Sequence, residues 1–248
     1  MTLIVGDETK TAASNRLRKG RARVSEAKLL TWLMLSLTFS TGIVDAVGYL
    51  GLDRVFTGNM TGNVVILGMA LSGTTDLPVV GPAIALVLYF LGAVVGGRLL
   101  RGHREGWTSA TTIVFGLVSA MLLACSIFTL VVPLGAIPHS AVALAAVLGF
   151  VMGAQAAAAR QVKIADVTTV VVTSTITGLA ADSWFGARLK QDWVKRLMAV
   201  LLILLGALCG AVLLPHGMWI PILVSACLSL AVTIVGEKRR RVERDLTA

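Results

Sequence analysis

The sequence predicts an all-α integral membrane protein with six transmembrane helices plus two re-entrant segments, built as 3+3 inverted repeats. Three observations predict it. The 248 residues are 56% hydrophobic and only 14% charged, with a mean hydropathy of +0.85, outside the range of soluble globular domains. Six apolar runs, 29–52, 79–97, 108–132, 139–159, 197–215 and 217–236, each approach the ~20 residues that a helix needs to cross a ~30 Å hydrocarbon layer. The basic residues that give the chain a net charge of +9 lie beside these runs rather than within them, as in membrane proteins oriented by their cytoplasmic charges.

Taken in order, residues 1–28 carry Arg16, Arg18, Lys19, Arg21, Arg23 and Lys28 and read as a basic, poorly ordered cytoplasmic arm. The first repeat occupies 29–132. Its opening run is too long for the core of a signal peptide and lacks a small-residue cleavage pattern, so it is predicted to be a retained helix. It contains Asp45, the only acidic residue in any of the six runs. The segment 55–72 begins "VFTGNMTGNVV", placing Thr57, Asn59, Thr61 and Asn63 with Gly58 and Gly62 where another Leu or Val would be easier to bury. Glycine permits tight backbone geometry, and Thr and Asn side chains can bond exposed main-chain groups or a solute, so the segment is predicted to enter the membrane and return. The runs 79–97 and 108–132 complete this repeat.

The second repeat, 133–236, holds the remaining three runs and a second Thr-rich re-entrant segment at 166–182. A basic cytoplasmic tail, 237–248, follows with Lys238, Arg239, Arg240, Arg241 and Arg244, and is expected to be as irregular as the arm. Trp107, Trp184, Trp193 and Trp219 fall near span ends, where indole rings favour the interfacial layer. Cys125, Cys209 and Cys227 lie inside spans without the spacing of a metal or redox pair and read as buried small apolar residues.

Charge distribution selects the topology. If 55–72 and 166–182 both crossed, Arg98, Arg101, Arg104, Arg160 and Lys163 would lie outside with Arg54. If both return to the side they came from, 21 of the 22 Lys and Arg residues are cytoplasmic and only Arg54 is outside. The second arrangement satisfies the positive-inside bias and leaves both termini in the cytoplasm. It makes the chain a multi-pass membrane protein.

The halves are weakly self-similar. "TGIVDAVGYL" at 41–50 lies against "GAQAAAARQ" at 153–161 with Asp45 opposite Gln155. "MTGNVVIL" at 60–67 lies against "VTSTITGL" at 172–179, and "LGAVVGGRLL" at 91–100 against "LGALCGAVLL" at 205–214, so the offset drifts only from 110 to 112 to 114. Three crossings per half is odd, which inverts the second copy. Inverted repeats with broken segments meeting near the bilayer centre recur in secondary transporters. The pairs Gly92/Gly96 and Gly206/Gly210 form GxxxG patterns that let helices approach closely, either within the chain or in a homodimer.

The stretches "GIVDAVGYL", "FTGNMTGNVVILGMAL" and "DVTTVVVTSTIT" resemble the YoaK-like family of bacterial multi-pass inner-membrane proteins, a domain of unknown function. The resemblance covers about residues 29–236 and implies a bacterial membrane protein without specifying an activity. The second half departs from the family pattern: "QAA" and "TST" stand where the family pattern is similar to Gln-Asn-Ala and Thr-Gly-Thr.

A carboxylate at membrane depth costs ~2.5–3.5 kcal/mol on insertion scales and requires a partner, a proton or water. Asp45 is therefore the expected coupling residue, for a proton or sodium, or else it caps the broken backbone of a re-entrant segment. Asn59, Thr61, Gly62, Asn63, Gln155, Thr173 and Thr175 are the expected solute-binding residues, with short-helix N-termini turned toward a small polar or anionic solute. The sequence reading is a secondary transporter of such a metabolite; a channel or a non-transporting membrane scaffold are its alternatives. The expected partners are the lipid bilayer, a small-molecule or ion solute and a second copy of the chain; nucleic acid is not among them, because the basic clusters sit beside spans. His103, His139 and His216 stand at separate span ends and make no HExxH, no P-loop or GxGxxG is present, and so neither an enzyme nor a cofactor or metal site is expected.

Overall fold

A computed structural model describes residues 5–133, 137, 139–163, 172–189 and 191–247, with side chains described from 27 to 245. Among these residues the chain is helical and contains no strand: α1 (Val5–Gly51), α2 (Met60–Ala70), α3 (Val80–Leu100), α4 (Ser109–Val131), α5 (Ser140–Val162), α6 (Val172–Ala181), α7 (Trp193–Leu213) and α8 (Trp219–Thr247), with a single 3-10 turn, Leu214–His216, between the last two. Six stretches are long and apolar enough to cross a membrane: Ala27–Gly51, Val80–Leu100, Ser109–Val131, Ser140–Val162, Trp193–His216 and Trp219–Asp245. They match the six predicted runs, with ends shifted by a few residues.

Two sequence expectations are corrected at the ends of the chain. The arm is not irregular over residues 5–26, because α1 is continuous from Val5; this stretch has no proline and carries several Ala, Lys and Arg residues, which favour helix. The tail likewise continues α8 to Thr247. There Glu237 pairs with Arg240 at 2.7 Å and Arg241 at 2.7 Å, and Arg239 pairs with Glu243 at 3.1 Å, the helical spacing at which opposite charges support one another.

The glycine pairs set how the helices cross. Any side-chain carbon at Gly92 would fall on the Phe150 carbonyl oxygen, and one at Gly206 on that of Phe39. At Gly210 it would lie 2.7 Å from the Ile43 oxygen, and at Gly96 3.0 Å from Ala157 Cβ. Backbone therefore touches backbone where α3 packs on α5 and where α7 packs on α1, the close approach that small residues allow in membranes. Both GxxxG faces are thus occupied within the chain and are not free for a homodimer.

These contacts also give directions. Gly149 and Gly153 of α5 meet Ala85 and Tyr89 of α3 in the same order, so α3 and α5 run parallel; Gly42 and Gly51 of α1 meet Ile203 and Leu214, so α1 runs parallel to α7. The helices α4 and α8 run antiparallel, tied by Ser126 Oγ donating to the Trp219 carbonyl (2.8 Å) at one end and Thr112 Oγ1 to Glu237 (2.9 Å) at the other. Gln161, in the last turn of α5, donates to the carbonyls of His103 (3.0 Å) and Arg104 (3.1 Å) before α4, which makes α4 and α5 antiparallel. With α8 doubling back on α7, the helices α1, α4 and α7 run one way, and α3, α5 and α8 the other.

Trp107 does not act as an interfacial anchor. It is buried, stacked on Phe115 at 5.3 Å, with Nε1 donating to Thr112 Oγ1 at 2.9 Å and the indole lying over Gly236. The ring fills the space that the missing side chain at Gly236 leaves between α4 and α8, and its N–H has a partner there. Trp184 and Trp193 are exposed. Cys125 is buried, Cys209 half-buried and Cys227 exposed, so Cys227 departs from the buried reading and faces outward.

Candidate functional site

The site is built where α1 ends. Asp53 and Arg54 adopt left-handed backbone (φ 60° and 59°), and the Val55 N–H returns to the Gly48 carbonyl at 3.3 Å, reversing the chain against α1. Gly48 has no side chain to obstruct this return, since a Cβ there would strike the Val55 carbonyl. The reversal carries Phe56–Asn59 back alongside α1, to the level of Asp45, two turns before the helix end.

At that level the main chain is not helical, and its N–H groups need acceptors. Asp45 supplies one. Its Oδ1 accepts from the Thr57 N–H (2.9 Å), the Gly58 N–H (2.6 Å) and the Thr57 hydroxyl (3.2 Å), and the Asn59 N–H also reaches the carboxylate. Asp45 is 8% exposed and Thr57 is buried. A side chain at Gly58 would lie 2.9 Å from Thr41 Cγ2 and 3.5 Å from both Asp45 Oδ1 and Met152 Cε, so the turn is pressed between α1 and α5.

Asn63 fastens the other side of the turn. Fully buried, it accepts from the Phe56 N–H (2.9 Å) and donates to the Phe56 carbonyl (2.6 Å), pairing with the backbone as a neighbouring strand would. The Phe56 ring covers Gly62 and stacks on Tyr49 at 4.9 Å. Asn59 caps α2 by accepting from the Gly62 N–H at 3.4 Å and is itself exposed, as is Thr61. With 11 residues, α2 is about 16 Å long and α6, with 10, about 15 Å, roughly half a hydrocarbon layer each.

Gln155 enters from α5. It is 1% exposed and donates to Thr41 Oγ1 at 3.3 Å. Thr41 lies one helical turn before Asp45 on the same face, so Thr41, Asp45, Gly58, Met152 and Gln155 form one buried layer. Thr41, Thr57, Gly58 and Met152 were not among the expected site residues; the i, i+4 spacing of Thr41 and Asp45 was the available signal.

Thr173 and Thr175 are not gathered here. The packing of α6 is against α7, with Gly178 facing the Arg196 guanidinium, which bonds Asp182 at 2.7 Å. Thr173 is exposed and Thr175 buried. Residues 166–171 of the second Thr-rich segment lie outside the described residues. Among the described residues no three His, Cys, Asp or Glu side chains converge to hold a metal ion.

Six apolar helices, two half-length helices and a polar layer around Asp45 define a multi-pass transmembrane protein. The chain belongs to the family described as "Protein of unknown function (DUF1275)", whose model matches residues 33–235. It is 32% identical over 224 residues to the UPF0700 transmembrane protein YoaK of Bacillus subtilis (strain 168), across 83% of this chain and 96% of that protein. No solved structure matches it significantly.

Proposed function

We propose that the chain is a secondary transporter of a small polar or anionic metabolite in the bacterial cytoplasmic membrane, coupled to a proton or sodium through Asp45. The observation that carries this reading is a buried carboxylate inside a crossing helix, two turns before its end, holding by its backbone N–H groups the turn that leads into a half-length helix. Broken helices whose N-termini point into a bilayer-centre site, beside an ionisable residue, are how transporters bind solute and ion together.

Helix directions support two re-entrant segments. Because α1 opposes α3, residues 52–79 would leave and return at one end of the bundle, and Gly81 at the start of α3 sits beside Val55 just beyond α1. Because α5 opposes α7, the segment containing α6 would return likewise at the other end. With this alternation the positive-inside bias would put Arg54 at the outer face and the arm, the tail and the remaining basic residues in the cytoplasm.

Packing supports inverted repeats of three crossings. The contact of α3 with α5 is mirrored by α7 with α1, that of α4 with α5 by α8 with α1, and that of α2 with α3 by α6 with α7. Phe39, Gly42, Ile43 and Ala46 meet α7 as Phe150, Gly153, Ala154 and Ala157 meet α3, an offset of 111. This register sets Asp45 against Ala156, one residue from the Gln155 pairing that the sequence suggested.

In this reading Asn59 and Thr61 offer side chains to the solute, Gly62 lets the Phe56 ring pack against the start of α2, and Asn63 holds the turn. Thr173 and Thr175 would contribute when the α6 half moves toward the centre during alternating access. No enzymatic step is assigned. The test is reconstitution in proteoliposomes and measurement of currents or uptake for a panel of small anions and polar solutes, with and without sodium and pH gradients. Gradient-driven uptake that Asp45→Asn abolishes in a correctly folded protein is expected. A protein with no flux for any solute would be a scaffold instead.

A further inference from the structure

We infer that Gln155 and Asp45 form a site for a small monovalent cation, in which the Gln155 carboxamide oxygen is a direct ligand and Thr41 orients that carboxamide by accepting from its nitrogen. This deepens the transporter reading and rests on it for its role as a coupling site, although binding itself can be measured without transport.

Hydrogen-bond accounting in the layer leads there. The Thr41 hydroxyl donates to the Leu37 carbonyl at 2.9 Å, so toward Gln155 it can only accept, and the amide nitrogen is the atom that must face it. That fixes the Gln155 oxygen on the other side of the carboxamide, where it is buried and has no hydrogen-bond partner. A buried carbonyl without a donor is costly, and native proteins rarely leave one so.

Charge accounting gives the same answer. No Lys, Arg or His among the described residues pairs with Asp45, and its neighbours are backbone amides, hydroxyls and the Tyr89 ring of α3, which lies within reach of its charge. The layer therefore lacks one positive charge and one group to satisfy a carbonyl oxygen. An alkali cation or ammonium supplies both. A divalent ion would leave a net positive charge in the membrane interior, which is costly, whereas a single carboxylate neutralises a single charge. Carboxamide and carboxylate oxygens are hard ligands suited to such a cation and unsuited to soft metals. Sequence position adds to this: Gln155 comes from one half of the chain and Asp45 from the other, so a cation held by both would join α1 to α5.

The experiment is thermal unfolding of the purified full-length protein in detergent at fixed pH and ionic strength. Sodium, lithium, potassium or ammonium chloride is titrated against choline chloride. One of the small cations is expected to raise Tm saturably while choline does not. Gln155→Met, which keeps the side-chain length and removes the oxygen, should weaken the apparent Kd about tenfold or more. Gln155→Glu, should Gln155→Met fail to fold, should instead tighten cation binding or shift it toward calcium. Equal Tm in every salt, a response to pH alone, or unchanged cation binding by Gln155→Met would each overturn the inference. Cation binding without flux for any solute would leave this site intact and remove only the transporter reading, while cation-independent flux would do the reverse.

Discussion

Replacing Asp45 by Ala should unfold the turn before it unfolds the bundle. Its Oδ1 accepts from two backbone N–H groups, at 2.9 and 2.6 Å, and from the Thr57 hydroxyl at 3.2 Å. The hydroxyl can rotate to another acceptor, but the Thr57 and Gly58 N–H groups are fixed by the main chain and buried. Each orphaned donor costs about 1–3 kcal/mol, or ~2–6 kcal/mol for the pair. The unfolded chain in a membrane or micelle also finds partners, which lowers the net effect toward about 2 kcal/mol. The insertion cost of the carboxylate largely cancels, because α1 lies in the apolar phase in both states. Asp45→Asn keeps an oxygen in place and loses only charge assistance, so about half the effect is expected. Stability should therefore fall from wild type through Asp45→Asn to Asp45→Ala, measured by thermal or SDS-driven unfolding in detergent. Labelling of a cysteine at the buried position 57 should rise in parallel. Equal stability of wild type and Asp45→Ala would refute the assignment of this carboxylate as the acceptor for the turn.

Other outcomes follow from the packing. Gly206→Leu and Gly92→Leu should each cost at least ~1–3 kcal/mol, because a side chain would strike a carbonyl oxygen of the facing helix, whereas Gly97→Ala, which meets open space, should be neutral in the same unfolding assay. Trp107→Ala should cost about 3–5 kcal/mol by emptying the space over Gly236, a loss that an exposed interfacial anchor would not produce, and Trp184→Ala should be mild by comparison. Asn63→Ala should remove the two bonds to Phe56 and leave its backbone groups unpaired, destabilising by ~1–3 kcal/mol as read by Tm.

The crossing helices were legible because length and hydropathy are local properties of the chain, and a bilayer imposes both. Asp45 and the Thr-Asn turn were legible for the complementary reason, since polar residues in such a sequence need an explanation. That Asp45 serves the backbone of residues 57–59 was open as one of two roles, because it depends on the left-handed pair Asp53–Arg54, which has no glycine to announce it. Trp107 misled because nearness to a span end does not say which way the ring points; Gly236, far along the chain, decides that. The one-residue difference between the Gln155 pairing and the register of the glycine contacts arises in "AQAAAAR", where small, nearly identical residues give the alignment little to hold. The helical arm and tail were missed because charge was read as disorder, whereas at i, i+3 and i, i+4 spacing in the tail it supports a helix.

The most direct test of the account asks on which side of the membrane two loops lie. In a background lacking Cys125, Cys209 and Cys227, single cysteines Asp53→Cys and His103→Cys are probed in intact cells and inverted vesicles with a membrane-impermeant thiol reagent. Opposite sides are predicted, position 53 outside and position 103 inside, as the proposed re-entrant path of residues 52–79 requires. Labelling of both positions from the same side would make α2 a full crossing and remove the geometry on which the Asp45 site depends.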